Sequence, residues 1–152
     1  MKINVKDSVV NKLANTIVYG DYQMKFYDDV VDGIKELKEK YRVAVISDTW
    51  PSLRRRLDKE GIMKLLDGLI LSCDHDATKT TTKLFEIAIS ELKLVPEECI
   101  FIDDSVGNLK NAETVGMKPV LMCRNTAASK PEYPMVTCMN DIRDLITNME
   151  GV

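Results

Sequence analysis

A chain of 152 residues, 45% hydrophobic and 30% charged, is long enough for one globular domain with its own core. Its formal net charge of −3 gives no basic field for nucleic acid and no attraction to an anionic membrane surface. No apolar run approaches transmembrane length and the first residues carry no signal-peptide core, so a cytoplasmic protein is expected.

In chain order, Ile3 and Val5 alternate with polar residues, and Asp7-Ser8 offers a helix cap. Val9, Val10, Leu13 and Ile17 then recur at helical spacing up to Gly20. Tyr22, Met24, Phe26 and Tyr27 form an apolar, aromatic connector. Asp28 and Asp29 stand at the capping position of a helix through Lys40, with Val30, Ile34 and Leu37 on its inner face. Arg42 to Ser47 is an apolar run suited to a parallel strand. Pro51 fits the first turn of a helix ending at Gly61, within which Arg54, Arg55 and Arg56 read as a solvated face.

Leu69 to Ser72 is a short strand-like run, followed by a polar loop from Cys73 to Thr82. A helix from about Thr82 to Lys93 buries Leu84, Ile87, Ala88 and Leu92, and Pro96-Glu97-Glu98 turns the chain. Cys99 to Ile102 lacks polar alternation and reads as a strand buried on both faces. Asp103 and Asp104 end it, Ser105 can cap the following helix, and Gly116 stops that helix. A strand over Pro119 to Cys123, a loop containing Pro131 and Pro134, and a helix from about Asn140 to Met149 complete the pattern. Strands alternating with helices predict an α/β fold, a Rossmann-like parallel sheet with helices on both faces. Cys73, Cys99, Cys123 and Cys138 form no CxxC pair and lie in or beside apolar stretches, which predicts reduced, partly buried thiols. With His75 the single histidine, little room is left for a Ser-His triad or a His-rich metal site.

Three strand ends carry polar groups that can converge, since ligands sit at the carboxyl ends of parallel strands. Ser47 supplies a hydroxyl, and Thr49 or the backbone N–H groups beyond it add donors. Lys79 supplies a positive charge from the polar loop. Asp103 and Asp104 repel each other unless a cation such as Mg²⁺ lies between them and a ligand. A hydroxyl, an ammonium and a carboxylate pair are the parts that hold a phosphoryl group, where catalysis is mostly positioning and charge neutralisation.

Val43-Ala44-Val45-Ile46-Ser47-Asp48, then Lys79 with Leu84-Phe85 behind it, then Phe101-Ile102-Asp103-Asp104-Ser105-Val106-Gly107-Asn108 with Ala112 and Gly116-Met117, resembles the haloacid-dehalogenase-like (HAD) hydrolase superfamily. The resemblance is to members with a helical cap inserted after the first strand, and it covers roughly Asp28 to Val152. It implies a Mg²⁺-dependent phosphatase of a small phosphorylated metabolite. Ser47, Asp48 and Thr49 would bind the phosphoryl group, and Lys79 would neutralise nucleophile and phosphate. Asp104 would ligate Mg²⁺ directly, and Asp103 would hold a metal-bound water. Asp76 stands where the family usually has Gly, and Thr80 where it has Pro, changes that alter the loop's stiffness and charge without removing a catalytic group.

The larger departure is at the front. The family's nucleophile is an aspartate in an Asp-x-Asp-Gly-Thr-like motif ending the first strand, and this sequence has no such motif before Ser47. Asp7 is the one positional candidate, but Ser8, Val9 and Val10 follow it instead of a second acid and a Gly-Thr turn. Asp74-His75-Asp76 has the spelling but lies in the lysine's loop. The expected organisation is a cap remnant or substitute segment over residues 1–27 and a HAD-like core over residues 28–152, with the first strand missing. That strand lies between the strands ending in Ser47 and Asp103, so its loss leaves two unpaired edges and an apolar slot. Met1 to Asp7 fills the slot, or another chain does, or the flanking strands pair directly. Three readings follow: an impaired phosphohydrolase, a non-catalytic phosphate or phosphometabolite-binding module, and an interaction subunit or homodimer completing its sheet from another chain.

Overall fold

Helices and parallel strands alternate along the chain in the computed structural model, which describes residues 6–19, 25–124 and 132–150. Helices α1 (Asp7–Tyr19) and α2 (Val30–Lys38) precede strand β1 (Ala44–Ser47), and α3 (Ser52–Lys59) leads to β2 (Gly68–Leu71). The short α4 (Ser72–His75) and α5 (Lys83–Leu92) come before β3 (Ile100–Asp103). Helix α6 (Val106–Thr114), strands β4 (Lys118–Met122) and β5 (Met135–Val136), and α7 (Met139–Glu150) follow. The alternation expected for Ile3 and Val5, the residues Tyr22 and Met24 of the connector, and Pro131 lie outside the described residues.

All strand pairs are parallel, but they form two sheets, β1-β2 and β3-β4-β5. Direct pairing of the strands ending in Ser47 and Asp103 is therefore not what happens. Side chains nevertheless hold the two half-sheets side by side. On one face, α5 sets Leu84 and Ala88 against Ile70 and Ile46, while its Phe85 joins Phe101, Leu109 and Ala112. Phe85 and Phe101 meet edge to face at 5.0 Å and 86°, a geometry worth about 0.5–1.5 kcal/mol beyond burial. On the other face, α2 places Ile34 with Leu53, Leu57 and Leu71, and Leu37 with Val120, Val136 and Ile142. One helix on each face thus spans both half-sheets, giving three layers. Pro119 is tolerated because β5 begins to pair with β4 only at Leu121.

Several local expectations change. Asp29 occupies the N-cap position of α2 but makes no capping bond there. Its carboxylate instead accepts two 2.8 Å hydrogen bonds from Arg124 and one of 2.9 Å from the Met139 N–H at the start of α7. Partial burial pushes this carboxyl up, but Arg124 and the Met139 N–H outweigh it and hold it below the usual carboxylate range. The Arg124 guanidinium also lies 4.2 Å from the Tyr27 ring centroid. The arginine run is not simply solvated: Arg54 pairs with Asp74 and half-buried Arg56 with Glu60. The thiols are free as expected, yet Cys73 is exposed rather than partly buried. Asp7 is the first residue of α1, where its charge suits the helix N-terminus. The apolar residues Val9, Val10 and Leu13 of α1 are exposed.

Gly33 fixes the α2–α7 crossing, because a Cβ there would stand 2.4 Å from the Met139 Cβ. Gly33→Ala is expected to lower unfolding free energy by about 1–3 kcal/mol in urea denaturation. Gly107→Ala, whose Cβ would meet nothing nearer than the Ser105 Oγ at 3.7 Å, should instead gain up to about 1 kcal/mol. At the start of α7, Asp141 accepts hydrogen bonds from the Thr137 hydroxyl and N–H and the Cys138 N–H, which hold its pKa at about 2. Its unfolded value is about 3.9, so its stabilisation is complete above that pH and is lost as pH falls toward 2. Thermal melts from pH 5 to 2 should therefore show a shallower acid decline for Asp141→Asn than for the parent chain.

Candidate functional site

The carboxyl ends of β1, β2 and β3 form one corner. Asp103 is the last residue of β3 rather than the residue after it, and this places its side chain inside the fold. Its Oδ2 accepts a 2.6 Å hydrogen bond from the Lys79 ammonium. Its Oδ1 accepts 2.9 Å and 3.0 Å bonds from the Ser105 N–H and the Asn108 side-chain amide. The side chains of Lys79 and Asp103 retain only 13% and 7% of their exposure, so this ion pair is largely withdrawn from water. The same ammonium lies 5.9 Å from the Phe101 ring centroid. Such a pair is tolerable only when its remaining hydrogen-bonding capacity is satisfied, and Ser105 and Asn108 do that for the carboxylate.

Lys79 is braced from behind as well. Its backbone N–H donates to both carboxylate oxygens of Asp48, at 2.9 and 3.1 Å. Its carbonyl accepts a 2.8 Å bond from the Asn111 amide. Asp48 is thus engaged with the loop backbone rather than turned toward a ligand. The Thr49 N–H, a candidate donor by sequence, is already given to the Ser72 Oγ at 3.0 Å. Ser47 ends β1, half-buried. Ser105 accepts the Asn108 N–H at 3.5 Å as the cap of α6. Asp104 projects outward, exposed and without a side-chain partner among the described residues.

The corner therefore joins Lys79 to Asp103 and, through Asp48, to the end of β1 where Ser47 stands, with Asp104 at its rim and Thr49 bonded to Ser72. Asn108, Asn111 and Ser72 are functional supports that sequence reasoning missed. The signal for the two asparagines is their i, i+3 spacing on the first turns of α6, which puts both on one helix face. Beside the corner, an open cleft of about 630 Å³ is walled by Thr49, Trp50, Cys73, Thr78 and Lys83. Trp50 is 55% exposed there. Local desolvation and the adjacent Asp74 push the Cys73 thiol pKa up, away from the range of a reactive thiolate.

Among the described residues no three His, Cys, Asp or Glu side chains are grouped so as to hold a metal ion together, so a cation here would meet the adjacent pair Asp103 and Asp104. That set does not suit a closed protein cage. It does suit Mg²⁺, which is commonly held by one or two carboxylates with water and substrate phosphate completing the shell. Asp104 has its oxygens free for this role, whereas both oxygens of Asp103 already accept hydrogen bonds.

Comparison with known proteins identifies the family and the fold. The family profile of the haloacid dehalogenase-like hydrolases matches residues 6–116. The chain is 30% identical over 132 residues to an enolase-phosphatase E1 from Shewanella loihica, covering 81% of this chain and 56% of that protein. It thus spans about half the length of that relative. Its fold is similar to that of a HAD phosphatase from Thermococcus onnurineus, with a TM-score of 0.73, 20% identity, and coverage of 95% of this chain and 66% of the other. It is also similar to the L-2-haloacid dehalogenase of Xanthobacter autotrophicus, with a TM-score of 0.76, 15% identity, and coverage of 97% and 69%.

Removing one member of the Lys79–Asp103 pair strands the other in a buried position. Asp103→Ala is expected to lower unfolding free energy by roughly 3–5 kcal/mol. Asp104→Asn should stay within about 0.5 kcal/mol of the parent, both read from urea denaturation followed by circular dichroism.

Proposed function

The chain belongs to the haloacid dehalogenase-like hydrolases, and on that premise we propose that its corner binds the phosphoryl group of a small phosphorylated metabolite. The observation that carries this reading is the Lys79 ammonium, buried at the strand ends and fixed by Asp103. A fixed cation in a partly dry site neutralises phosphate without reorganising when the ligand arrives. The Ser47 hydroxyl is the donor on the opposite strand end. Asp104 would hold Mg²⁺, with Asp103 steadying a metal-bound water; the ion supplies charge neutralisation of the phosphoryl oxygens. Asp48 serves by holding the Lys79 backbone rather than by touching substrate.

These residues hold a phosphoryl group; they do not attack it. Among the described residues, the acids at the corner are Asp48, Asp103 and Asp104, and the first two are committed to hydrogen bonds with Lys79. Asp7 opens the exposed helix α1. Residues 1–152 therefore act as the phosphate-binding part of a phosphatase site, and turnover calls for a further carboxylate on the open side of Lys79. Dehalogenation is the weaker reading, because charge neutralisation by Asp104-held Mg²⁺ has no role in displacing a halide from carbon.

Calorimetric titration of the 152-residue chain with inorganic phosphate in Mg²⁺ should give saturable binding. Ser47→Ala should weaken it roughly tenfold, the loss of one hydrogen bond to a charged group. Asp104→Asn should remove its Mg²⁺ dependence. The same preparation should not turn over p-nitrophenyl phosphate. Mg²⁺-dependent turnover, or an absence of phosphate binding, contradicts the reading.

A further inference from the structure

Trp50, the single tryptophan of the chain, lines the open cleft beside the corner and is 55% exposed. Tryptophan is on average a highly buried residue, so this side chain leaves a large apolar surface uncovered. Its backbone is fixed nonetheless. Pro51 restricts its dihedral angles, and its carbonyl accepts the Leu53 N–H at 3.1 Å at the entry to α3. Two ties set the loops around it. The Ser72 Oγ just past β2 accepts the Thr49 N–H at 3.0 Å, and Asp48 accepts the Lys79 N–H at 2.9 Å. The walls of the cleft are therefore already in place, as they commonly are in small-molecule sites.

Cleft and corner are built from the same loops. Asp48 follows Ser47 and Thr78 precedes Lys79, so two residues lining the cleft adjoin the two proposed to hold the phosphoryl group. Trp50 stands three residues beyond Ser47, which keeps their Cα atoms within about 11 Å. The cleft's volume of about 630 Å³ is ordinary for a small-molecule site, and inorganic phosphate alone would leave most of it open. Its lining is of two kinds. Trp50 brings a broad apolar face, whereas Thr49, Thr78, Thr81 and Lys83 bring hydroxyls and an ammonium. An aliphatic group would cover the indole but set its remaining surface against those polar atoms, leaving hydrogen bonds unmade. A flat ring divides its surface better, with one face on the indole and edge heteroatoms toward the hydroxyls.

We propose that Trp50 is the specificity-determining residue of this site, its indole stacking on a planar aromatic or heteroaromatic ring carried by the phosphorylated ligand. The substrate class is then an aromatic phosphate ester, with its phosphoryl group on Ser47 and Lys79 and its ring in the cleft. This assignment rests on the phosphate reading and adds what the corner alone lacks. Ser47 and Lys79 meet phosphoryl oxygens and distinguish no organic group, whereas an exposed indole within reach of them does.

The test compares phenyl phosphate with cyclohexyl phosphate, esters of equal charge and similar size of which only the first has a planar ring. Each is titrated calorimetrically into the 152-residue chain in Mg²⁺. Phenyl phosphate should bind about fivefold more tightly. It should also move the emission of Trp50, the only tryptophan signal in the chain, to shorter wavelength. Trp50→Phe should keep the preference, and Trp50→Ala should abolish it. Inorganic phosphate, titrated alongside, separates this assignment from the reading it rests on. With inorganic phosphate bound, equal affinity for the two esters, or a preference that survives in Trp50→Ala, overturns the role of Trp50 and leaves the phosphate site standing. Failure of all three ligands to bind overturns the phosphate site and this assignment with it.

Discussion

The buried contact between the Lys79 ammonium and the Asp103 carboxylate, at 2.6 Å, ties the parts of this molecule together. Among the described residues no ladder joins the two half-sheets, and a polar connection at their carboxyl ends passes through the loop that carries Lys79. Asp48 holds that loop to β1, Asn111 holds it to α6, and the ammonium itself reaches β3. A charge placed this way does two things at once. It keeps the strand ends in register, and on the proposed function it also holds a cation preorganised for an anionic ligand.

Apolar packing does the remaining work of holding the split sheet. Helices α5 and α2 each span both halves from opposite faces, and the fully buried Leu84, Phe85 and Leu71 lie under them. This division explains how a sheet interrupted in its middle still presents an ordered corner. Side chains on each face are shared between halves even though backbone hydrogen bonds are not. Among the described residues, the same division leaves β1 paired with β2 alone and β3 with β4 alone.

Much of this was legible in the residues themselves. The runs Val43–Ile46 and Cys99–Ile102 announce parallel strands because they lack alternation, and Ser47, Lys79 and Asp103 stand at the ends of such runs or in the loop between them. Direct pairing of β1 with β3 was one of three outcomes left open by the family resemblance, and among the described residues they do not pair. What was not legible depends on contacts distant in sequence. Asp29 reads as a cap for α2, yet it anchors Arg124 and the first N–H of α7, 95 and 110 residues away. Asp48 reads as a ligand-facing acid, but the backbone of Lys79 takes both its oxygens. The difference between Asp103 and Asp104, one buried and committed, the other exposed and free, comes from the strand's final residue pointing inward, an alternation that adjacent identical residues cannot reveal.

The central claim is that Ser47 and Lys79 form a preassembled phosphate site on an incomplete parallel sheet. A crystal structure of the chain grown with Mg²⁺ and inorganic phosphate tests it most directly. The account predicts phosphate oxygens within hydrogen-bonding distance of the Ser47 hydroxyl and the Lys79 ammonium, with the metal on Asp104. Phosphate bound elsewhere, or Lys79 held by Asp103 with no anion against it at saturating phosphate, would contradict it.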